Sequence, residues 1–388
     1  MRLADALARP GLRAIAEFKR RSPSMGDIRP DARVEQIVPA YTANDASAIS
    51  VLVDERFGGS LGDLRTARTL TDVPLLAKGF FSTEDHLREL REAGADAALL
   101  ILRDLDDETC ATLMRYAESI GLDTLVEAHD LDELARATRL GAPVVGINAR
   151  DLSTFRIDRH AQLELVAHAA RSGDRVIVAE SAIHTRAQAA AAELAGADAV
   201  LVGTALMQAP DPGAKLRELL SRPLVKVCGL TRQEDVDQAV GAGADLLGFI
   251  FAEGSPRRAD AVLDVPETAL SVAVSVGDPV DAGADLVQIY AAEGGKVRGR
   301  GALLMRDGWR EQVLVLDLPW QETDPAHWDD AAQKAGRVML AGKLGPENVR
   351  AAIEHVRPWA VDAASSLERA PGVKDHDKVT RYVEAARS

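Results

Sequence analysis

The chain has 388 residues, more than twice the roughly 150 that one domain commonly uses, so its length favours two folded units. Apolar residues make up 47% and charged residues 27%, which excludes a disordered or collagen-like chain because enough apolar side chain is present to form a core. The formal net charge of −14 argues against bulk attraction to nucleic acid or to an anionic membrane surface.

The cysteine content and the hydropathy pattern predict a cytoplasmic protein. Only Cys110 and Cys228 are present, which excludes a disulfide framework and a multi-cysteine zinc site and suits a reducing compartment. No apolar run approaches the roughly 18 residues of a membrane span, and the first residues lack a signal-peptide pattern. The eight histidines show no metal-ligand spacing, so we expect solvated or capping roles for them and no bound metal.

The first half repeats one pattern eight times: a short apolar run that ends in a polar residue or glycine, followed by a stretch of helical period. The runs are AIAEFK, AISVLVD, PLLAKGF, DAALLIL, DTLVEA, VVGINA, VIVAES and AVLVGT. Such runs are typical of parallel strands that are buried on both faces. Eight consecutive βα units predict a closed (β/α)8 barrel, the TIM barrel, over residues 1–220.

The pattern restarts after Ser221 and predicts a second, compact TIM barrel over residues 221–388. Its runs are LVKVCG, DLLGFIF, LSVAVSV, DLVQIY, ALLMRD, QVLVLD, RVMLAG and WAVDAAS. GGKVRGRG and DLPWQETDPAHWD, after the fourth and sixth runs, contain breakers and no clear helix. The fold class is therefore α/β with two tandem barrels, and we expect a monomer.

Ionisable residues at the strand ends of the first half predict an active site, because catalytic groups of such barrels lie at the carboxyl ends of the strands. Lys19, Lys78, Glu127 and Glu180 would converge on one mouth, where mixed charges can divide acid and base roles. Taken singly, each residue is more often a solvated loop residue or an ion-pair partner.

Seven segments of the first half resemble indole-3-glycerol-phosphate synthase. They are AEFKRRSPSMGDI, VLVDERFGGSL, LLAKGFF, LVEAHD, GINARDLSTF, VAESAI and ADAVLVGTALMQAPDP. The resemblance implies ring closure, decarboxylation and dehydration of carboxyphenylamino-deoxyribulose phosphate, without metal or organic cofactor. It implies that Lys78 is the general acid on the substrate ketone and that Lys19 and Glu127 are its acid/base partners. The residues implied to bind substrate are Glu17, Ser22, Asn148, Arg150, Glu180, Ser181, Gly203 and Thr204.

Three positions depart from that family. The extra helix that usually precedes the first strand is nearly absent. Gly79 stands where the family has an aspartate, so we expect Lys78 to be less tethered. Ala182 replaces the usual glycine, so we expect a more crowded approach of the substrate phosphate to the backbone there.

Four segments of the second half resemble phosphoribosylanthranilate isomerase: KVCGLTRQEDV, LGFIFAEGSPR, VMLAGKLGPENV and VDAASSLERAPGVKD. The resemblance implies an Amadori rearrangement in which Asp317 protonates the ribose ring oxygen and Cys228 removes the C2 proton. It implies that Arg257 contacts the anthranilate carboxylate and that Gly342, Ser365 and Ser366 help bind phosphate. Lys343, which replaces a glycine of the family, could add charge at the same place.

The second half departs further from its family, which leaves an alternative open. LPWQETDPAHW replaces the usual glycine-rich loop after Asp317, and Tyr290 and Ala291 replace His-Gly after the fourth strand. The leading hypothesis is a fused enzyme of tryptophan biosynthesis that acts on phosphorylated anthranilate-sugar substrates. The alternative is an active synthase barrel fused to a noncatalytic barrel that serves packing. A histidine-pathway isomerase is disfavoured because it would need an aspartate in place of Cys228.

Overall fold

A computed structural model of the protein describes residues 2–22, 25–150, 156–171, 173, 175–293, 296–305, 313–318 and 324–388. The chain divides into two compact units. One comprises residues 1–184 and 189–220, and the other comprises residues 185–188 and 221–388. Within the described ranges, no helix is long and apolar enough to cross a membrane.

The first unit is a closed eight-stranded barrel in which every neighbouring pair of strands is parallel. Its strands, with a two-stranded hairpin of β2 and β3 after the first, are β1 (Arg13–Phe18), β2 (Arg21–Ser22), β3 (Gly26–Asp27), β4 (Ala48–Leu52), β5 (Leu75–Lys78), β6 (Ala97–Ile101), β7 (Asp123–Ala128), β8 (Val144–Asn148), β9 (Val176–Glu180) and β10 (Ala199–Val202). Its helices are α1 (Leu3–Leu7), α2 (Val34–Thr42), α3 (Leu61–Leu70), α4 (Glu84–Glu92), α5 (Asp107–Ser119), α6 (Leu131–Arg139), α7 (Arg159–Arg171), α8 (Arg186–Ala195), α9 (Thr204–Gln208) and α10 (Pro212–Leu220).

Helix α6 shows how the sequence sets a crossover helix. Asp130 precedes it, and the Asp130 side chain accepts a hydrogen bond from the backbone N–H of Glu133, which satisfies an amide of the first turn. Leu134 and Ala137 are buried on one face, since residues three apart lie on the same side of a helix. The helix therefore packs its apolar face against the barrel.

The interior of the first barrel is apolar below its mouth. Because successive side chains of a strand alternate, one set faces the helices and the other faces inward. The inward set forms a buried cluster with Ile15, Leu76, Leu125, Val178 and Leu201. Helix α1 adds two fully buried leucines to the same cluster, Leu3 and Leu7. The short first segment is thus helical and contributes to the barrel interior.

The second unit is also a closed eight-stranded barrel. Its strands, followed by a small hairpin of β19 and β20, are β11 (Leu224–Cys228), β12 (Leu246–Ile250), β13 (Leu270–Val276), β14 (Leu286–Glu293), β15 (Lys296–Met305), β16 (Val313–Leu316), β17 (Val338–Leu340), β18 (Ala360–Ala363), β19 (Glu368–Ala370) and β20 (Val373–Lys374). Its helices are α11 (Gln233–Gly241), α12 (His327–Ala332), α13 (Val349–Val356) and α14 (His376–Arg387). The prediction of two tandem barrels is confirmed.

One strand of the second barrel runs opposite to the expected direction. Strand β15 is antiparallel to both β14 and β16, whereas the other neighbours are parallel. Residues 296–301, the KVRGRG of GGKVRGRG, therefore belong to strand β15 itself, which pairs antiparallel with β14 and needs no crossover helix before it. The described part of this barrel has no helix between β12 and β16.

Candidate functional site

Strand alternation places four ionisable side chains at the mouth of the first barrel. Each lies two residues beyond an inward-facing apolar residue, so it points into the same interior one layer higher. The pairs are Ile15 and Glu17, Leu76 and Lys78, Leu125 and Glu127, and Val178 and Glu180. Three of the four, the glutamates, are at most 3% exposed.

Lys78 lies at the centre of this cluster and contacts all three carboxylates. Its Nζ is 2.6 Å from Oε2 of Glu180, 3.7 Å from Oε2 of Glu17 and 3.8 Å from Oε2 of Glu127. Lys19 pairs with the other oxygen of Glu17 at 2.9 Å. The structure therefore brings together Lys19, Lys78, Glu127 and Glu180, the four residues predicted to converge.

Burial and the neighbouring charges change the pKa values of the cluster. Burial alone would lower the pKa of Lys78, but the charges of Glu180, Glu17 and Glu127 raise it well above its usual value. Burial raises the pKa of Glu180, and the charge of Glu127 adds to the rise. Burial would also raise the pKa of Glu127, but His129 and Lys78 together lower it. Lys78 therefore stays charged, and Glu127 favours its ionised form in spite of burial.

Two glycines leave the space that two of these carboxylates occupy. A Cβ on Gly146 would lie 2.1 Å from Oε1 of Glu180, and a Cβ on Gly203 would lie 2.3 Å from Oε1 of Glu17. Both distances are far below van der Waals contact, so any other residue would displace the carboxylate. The carboxylate of Glu180 therefore lies against β8, and that of Glu17 lies against the residue that directly follows β10.

The cluster opens into a cavity of about 650 Å³. Apolar side chains make up part of its wall, including Met25, Phe57, Phe80 and Ile157. The predicted site residues that line it are Glu17, Lys19, Ser22, Lys78, Glu127, Asn148, Arg150, Ser181, Gly203 and Thr204. Glu180 is fully buried and reaches the site through its contact with Lys78.

The loops after β8 and β9 are joined by Asn148. Its Oδ1 accepts hydrogen bonds from the Ser181 hydroxyl at 2.8 Å and from the Arg150 backbone N–H at 3.0 Å. Ser181 and Ala182 both have left-handed backbones, with φ of 70° and 55°. Ala182 therefore holds a conformation that its Cβ disfavours, at the position where the family has glycine.

Lys78 has carboxylate partners in spite of Gly79, so the expectation of a looser lysine stays a prediction. Lys78 has Glu180 at 2.6 Å and two further carboxylates within 3.8 Å, so strands β1, β7 and β9 hold the ammonium without an aspartate beside it. A Cβ on Gly79 would lie 2.8 Å from the ring of Phe81. This aromatic packing accounts for a small residue at the position.

The expectation of solvated or capping histidines is wrong for His129. Its side chain is 3% exposed, with Nε2 3.3 Å from Oε1 of Glu127 and Nδ1 2.9 Å from Oε2 of Glu133. Burial would lower the pKa of His129, but Glu127 and Glu133 raise it to about 9. The sequence offered one signal for this contact: His129 stands two residues after Glu127, a glutamate at the end of a strand.

Three residues at the cavity rim were also missed. The Arg56 guanidinium lies over the Phe80 ring, 4.0 Å from its centroid, and the Phe57 and Phe80 rings stack with centroids 6.4 Å apart. Phe80 is 39% exposed although it is a large apolar residue. An aromatic rim of this kind suits a planar ring in the ligand.

In the second barrel, Cys228 lies at the end of β11 beside a buried ion pair. Lys226 is fully buried, and its Nζ is 2.8 Å from Oδ2 of Asp362. Burial raises the pKa of Cys228, and the positive charge of Lys226 opposes that rise. Gly248 faces the two side chains, because a Cβ there would lie 2.6 Å from Sγ of Cys228 and 3.0 Å from Cε of Lys226.

Asp317 accepts a hydrogen bond from Tyr290, a residue noted above only because it departs from the family pattern. The Tyr290 hydroxyl donates to Oδ2 of Asp317 at 3.1 Å and accepts from Nε2 of Gln288 at 2.8 Å. Burial raises the pKa of Asp317, and the negative charge of Asp362 raises it further. Asp317 and Cys228 therefore both feel the charges of Lys226 and Asp362.

Arg257 pairs with a second buried carboxylate. Its Nε is 2.8 Å from Oε1 of Glu368, which also lies 3.1 Å from Nζ of Lys374. Lys374 further donates to the Ala364 carbonyl at 3.0 Å. Glu368 and Lys374 were quoted as parts of a motif but were not singled out as site residues.

The four residues predicted to bind phosphate in this barrel lie in two adjoining loops. Gly342 and Lys343 follow β17, and Ser365 and Ser366 follow β18, where the Ser366 hydroxyl donates to the Leu344 carbonyl. A Cβ on Gly342 would lie 2.4 Å from the Leu318 nitrogen, so only glycine fits there. Of the predicted altered loop after Asp317, residues 319–323 lie outside the described residues.

A metal centre is not present among the residues that the structure describes, where no group of three or more His, Cys, Asp and Glu side chains could hold an ion. Both cysteines are free and buried.

Comparison with known proteins gives matches for both barrels. The family model described as indole-3-glycerol phosphate synthase matches residues 1–219, and the model described as N-(5'phosphoribosyl)anthranilate (PRA) isomerase matches residues 326–385. An indole-3-glycerol phosphate synthase of Streptomyces griseus is 44% identical over 56% of this chain and 80% of its own length.

A longer relative covers both units. The multifunctional tryptophan biosynthesis protein of Phycomyces blakesleeanus is 31% identical over 96% of this chain, and this chain spans 62% of its length. Among solved structures, a phosphoribosyl anthranilate isomerase from Thermus thermophilus is 27% identical over 42% of this chain and 98% of its own, with a TM-score of 0.34.

Proposed function

The chain belongs to the indole-3-glycerol phosphate synthase family, and from this premise we propose that it is a fused enzyme of tryptophan biosynthesis with two activities. The second barrel isomerises phosphoribosylanthranilate, and the first converts the product, carboxyphenylamino-deoxyribulose phosphate, to indole-3-glycerol phosphate. We place this activity in the cytoplasm, a reducing compartment that suits the two free thiols, and we propose that the protein acts as a monomer. The cluster of Lys78 with three buried carboxylates is the observation that carries the proposal.

The ammonium of Lys78 suits the ring closure. An electron-rich arene carbon attacks the substrate carbonyl, and negative charge develops on the carbonyl oxygen as the new carbon–carbon bond forms. The surrounding glutamates raise the pKa of Lys78, which keeps it charged and able to donate a proton to that oxygen. The adjoining Asn148 and Ser181 present polar groups for the substrate's hydroxyls.

The later steps of the synthase reaction need proton removal and loss of water. Loss of carbon dioxide restores the electron pair that the ring closure consumed, and dehydration then makes the indole aromatic. Glu127 suits the base because His129 and Lys78 lower its pKa against the effect of burial. Lys19, held by Glu17 at 2.9 Å, is placed to protonate the departing hydroxyl. Ser22, Gly203 and Thr204 adjoin the same cavity and are assigned to the phosphate.

In the second barrel, Asp317 and Cys228 divide the acid and base roles. Burial raises the pKa of Asp317, which favours the protonated carboxyl that can donate to the ribose ring oxygen as the ring opens. Cys228 then removes the C2 proton of the imine, and the electron pair moves to give the enolamine and finally the ketone. Lys226 is the group that favours the thiolate, since its charge opposes the rise that burial causes in the pKa of Cys228. Arg257 is assigned to the anthranilate carboxylate, and Gly342, Lys343, Ser365 and Ser366 are assigned to the phosphate.

A purely structural second barrel is the less favoured alternative. The isomerase family model matches its last part, and Asp317 and Cys228 flank one buried ion pair. A barrel that served only packing would not need a fully buried lysine such as Lys226. Burial of an ion pair costs desolvation energy, and apolar residues at the same positions avoid that cost.

Purified protein supplied with phosphoribosylanthranilate tests both activities. We expect indole-3-glycerol phosphate from the unmodified protein. Lys78→Ala should accumulate carboxyphenylamino-deoxyribulose phosphate and lose synthase activity by about a hundredfold or more, as expected when a general acid is removed. Cys228→Ala should leave phosphoribosylanthranilate unconverted and still process added carboxyphenylamino-deoxyribulose phosphate.

Matched variants separate a chemical effect from a folding defect. Lys215→Ala changes a lysine of the same barrel that pairs with Glu218 on helix α10, and Cys110→Ala changes the other buried cysteine. Both should retain both activities. An unmodified protein that fails to consume phosphoribosylanthranilate would favour the packing alternative, and one that fails to close the indole ring would refute the synthase assignment.

A further inference from the structure

The side chain of His129 lies behind the catalytic cluster, outside the set of residues assigned above to the substrate or its protons. It joins two acidic groups from different elements. Nε2 lies 3.3 Å from Oε1 of Glu127 on β7, and Nδ1 lies 2.9 Å from Oε2 of Glu133 on α6. The same oxygen of Glu133 accepts the backbone N–H of His129 at 2.8 Å, so both the ring and the main chain of His129 are fixed by one carboxylate.

Charges of alternating sign lie around this histidine. Lys78 lies next to Glu127, with its Nζ 3.8 Å from Oε2. Arg103, which follows β6 and lines the same cavity, has its Nε 3.5 Å from Oε1 of Glu133. Each negative group therefore has a positive group on either side, which favours the imidazolium form of His129.

Both carboxylates that face Lys78, Glu127 and Glu180, keep one buried oxygen without a hydrogen-bond partner within the described ranges. Glu180 has the ammonium of Lys78 at 2.6 Å, whereas Glu127 is 3.8 Å from that ammonium and has the ring of His129 at 3.3 Å. A buried carboxylate keeps its negative charge when a cation lies close to it. The charge of Glu127 therefore depends on His129 more than the charge of Glu180 does.

We propose that His129 is a positioning residue of the synthase site, and that with Glu133 it keeps Glu127 ionised beside Lys78. This inference rests on the proposed synthase function and deepens it. His129 touches neither substrate nor reacting atoms in this assignment and acts only through Glu127. Glu133 in turn keeps the imidazole charged and oriented, as a carboxylate does when it backs a functional histidine.

The pH dependence follows from the same contacts. Glu127 and Glu133 raise the pKa of His129 to about 9, whereas an unfolded chain would give about 6.5. Since the folded pKa is the higher one, the charged histidine stabilises the fold fully below about 6.5, and this contribution is lost as the pH rises through about 9. The groups that act on it are Glu127 on β7 and Glu133 on α6, with Lys78, Glu180 and Arg103 beyond them.

His129→Asn, assayed with carboxyphenylamino-deoxyribulose phosphate, tests the proposal. Without the imidazolium, the pKa of Glu127 should rise, so the acidic limb of the kcat profile should move to higher pH. We expect kcat at neutral pH to fall by about tenfold to a hundredfold with KM changed less than threefold, because general-base groups contribute such factors. A loss of packing alone would lower the active fraction equally at every pH and would leave the limb in place.

Glu133→Gln provides a second arm that leaves the histidine in place. The ring then has one carboxylate rather than two, so its pKa should fall, and activity relative to the unmodified protein should decline progressively between about pH 7 and 9. The matched control is His160→Asn, which breaks an exposed histidine–glutamate pair with the same four-residue spacing on helix α7. That variant should keep the unmodified profile.

Three outcomes decide the matter. A shifted acidic limb in His129→Asn with an unshifted control supports the proposal. An unshifted limb with kcat within twofold of the unmodified protein overturns it. An unmodified protein that has no synthase activity refutes the proposed function instead. In that case an NMR titration of the His129 ring tests the inference separately, and a ring that titrates near the ordinary value of about 6.5 overturns it.

Discussion

The two barrels place charge at different depths. In the first, the interior below the mouth is apolar, with Ile15 on β1 beside Leu201 on β10, and the ionisable groups are confined to the strand ends. In the second, the corresponding interior position of β11 is Lys226, which is fully buried and pairs with Asp362 on β18.

This difference shows how two barrels of one topology can use different stabilising forces near their sites. The first barrel gains stability from apolar packing that continues up to the catalytic layer, and its charges interact mainly with one another. The second barrel gives up part of that packing for an ion pair one layer below Cys228. The pair sets the local field for Cys228 and Asp317, at a desolvation cost that the apolar interior of the first barrel does not carry.

Breaking the buried pair of the second barrel should have the largest effect on stability. Lys226→Met leaves Asp362 as an uncompensated buried charge and should lower the free energy of unfolding by about 3–5 kcal/mol. All four tryptophans lie between residues 309 and 359, so tryptophan fluorescence in urea follows this barrel. The double variant Lys226→Met with Asp362→Leu should recover most of the loss. A single variant as stable as the unmodified protein would mean that the ion pair contributes nothing to the barrel.

Displacing one carboxylate of the first barrel should have the next largest effect, on activity. Gly146→Ala puts a Cβ 2.1 Å from Oε1 of Glu180, so the carboxylate must move away from Lys78. We expect synthase kcat to fall by about a hundredfold, which corresponds to about 2.7 kcal/mol of transition-state free energy, while isomerase activity is retained. Gly241→Ala, on a helix of the second barrel with open space around it, is the control. Full synthase activity in Gly146→Ala would show that the position of Glu180 does not matter.

The smallest effect concerns the loops after the seventh strand of each barrel, where a residue other than glycine has a left-handed backbone. Ala182 has φ of 55° after β9, and Lys343 has φ of 55° after β17. Replacement of either by glycine should raise the free energy of unfolding by about 0.5–1 kcal/mol, because glycine adopts this conformation without strain. If Lys343 binds the substrate phosphate, Lys343→Gly should also raise the isomerase KM, whereas Ala182→Gly should not raise that of the synthase. Thermal unfolding and steady-state kinetics measure the two effects, and a loss of stability in both variants would contradict the strain argument.

The sequence predicted the residues that face the first mouth because strand ends and period-two alternation determine direction without any knowledge of packing. It could not predict that the pKa of Glu127 stays low in spite of burial, because that depends on the ring of His129, which lies between carboxylates from β7 and α6. The sequence also could not predict that β15 runs in the reversed direction. An apolar run has the same pattern whichever way the chain passes through the barrel, and only the connections reveal the direction.

The glycines opposite Glu180 and Glu17 tie the position of these charges to the barrel wall rather than to the rim. The Glu180 carboxylate occupies the space beside Gly146 on β8, and the Glu17 carboxylate occupies the space beside Gly203, directly after β10. Residues of the rim can then differ from those of the family, as Gly79 does, while the carboxylates below the rim keep their positions. Variants designed to change which ligand this mouth accepts should therefore alter residues of the rim and keep Gly146 and Gly203.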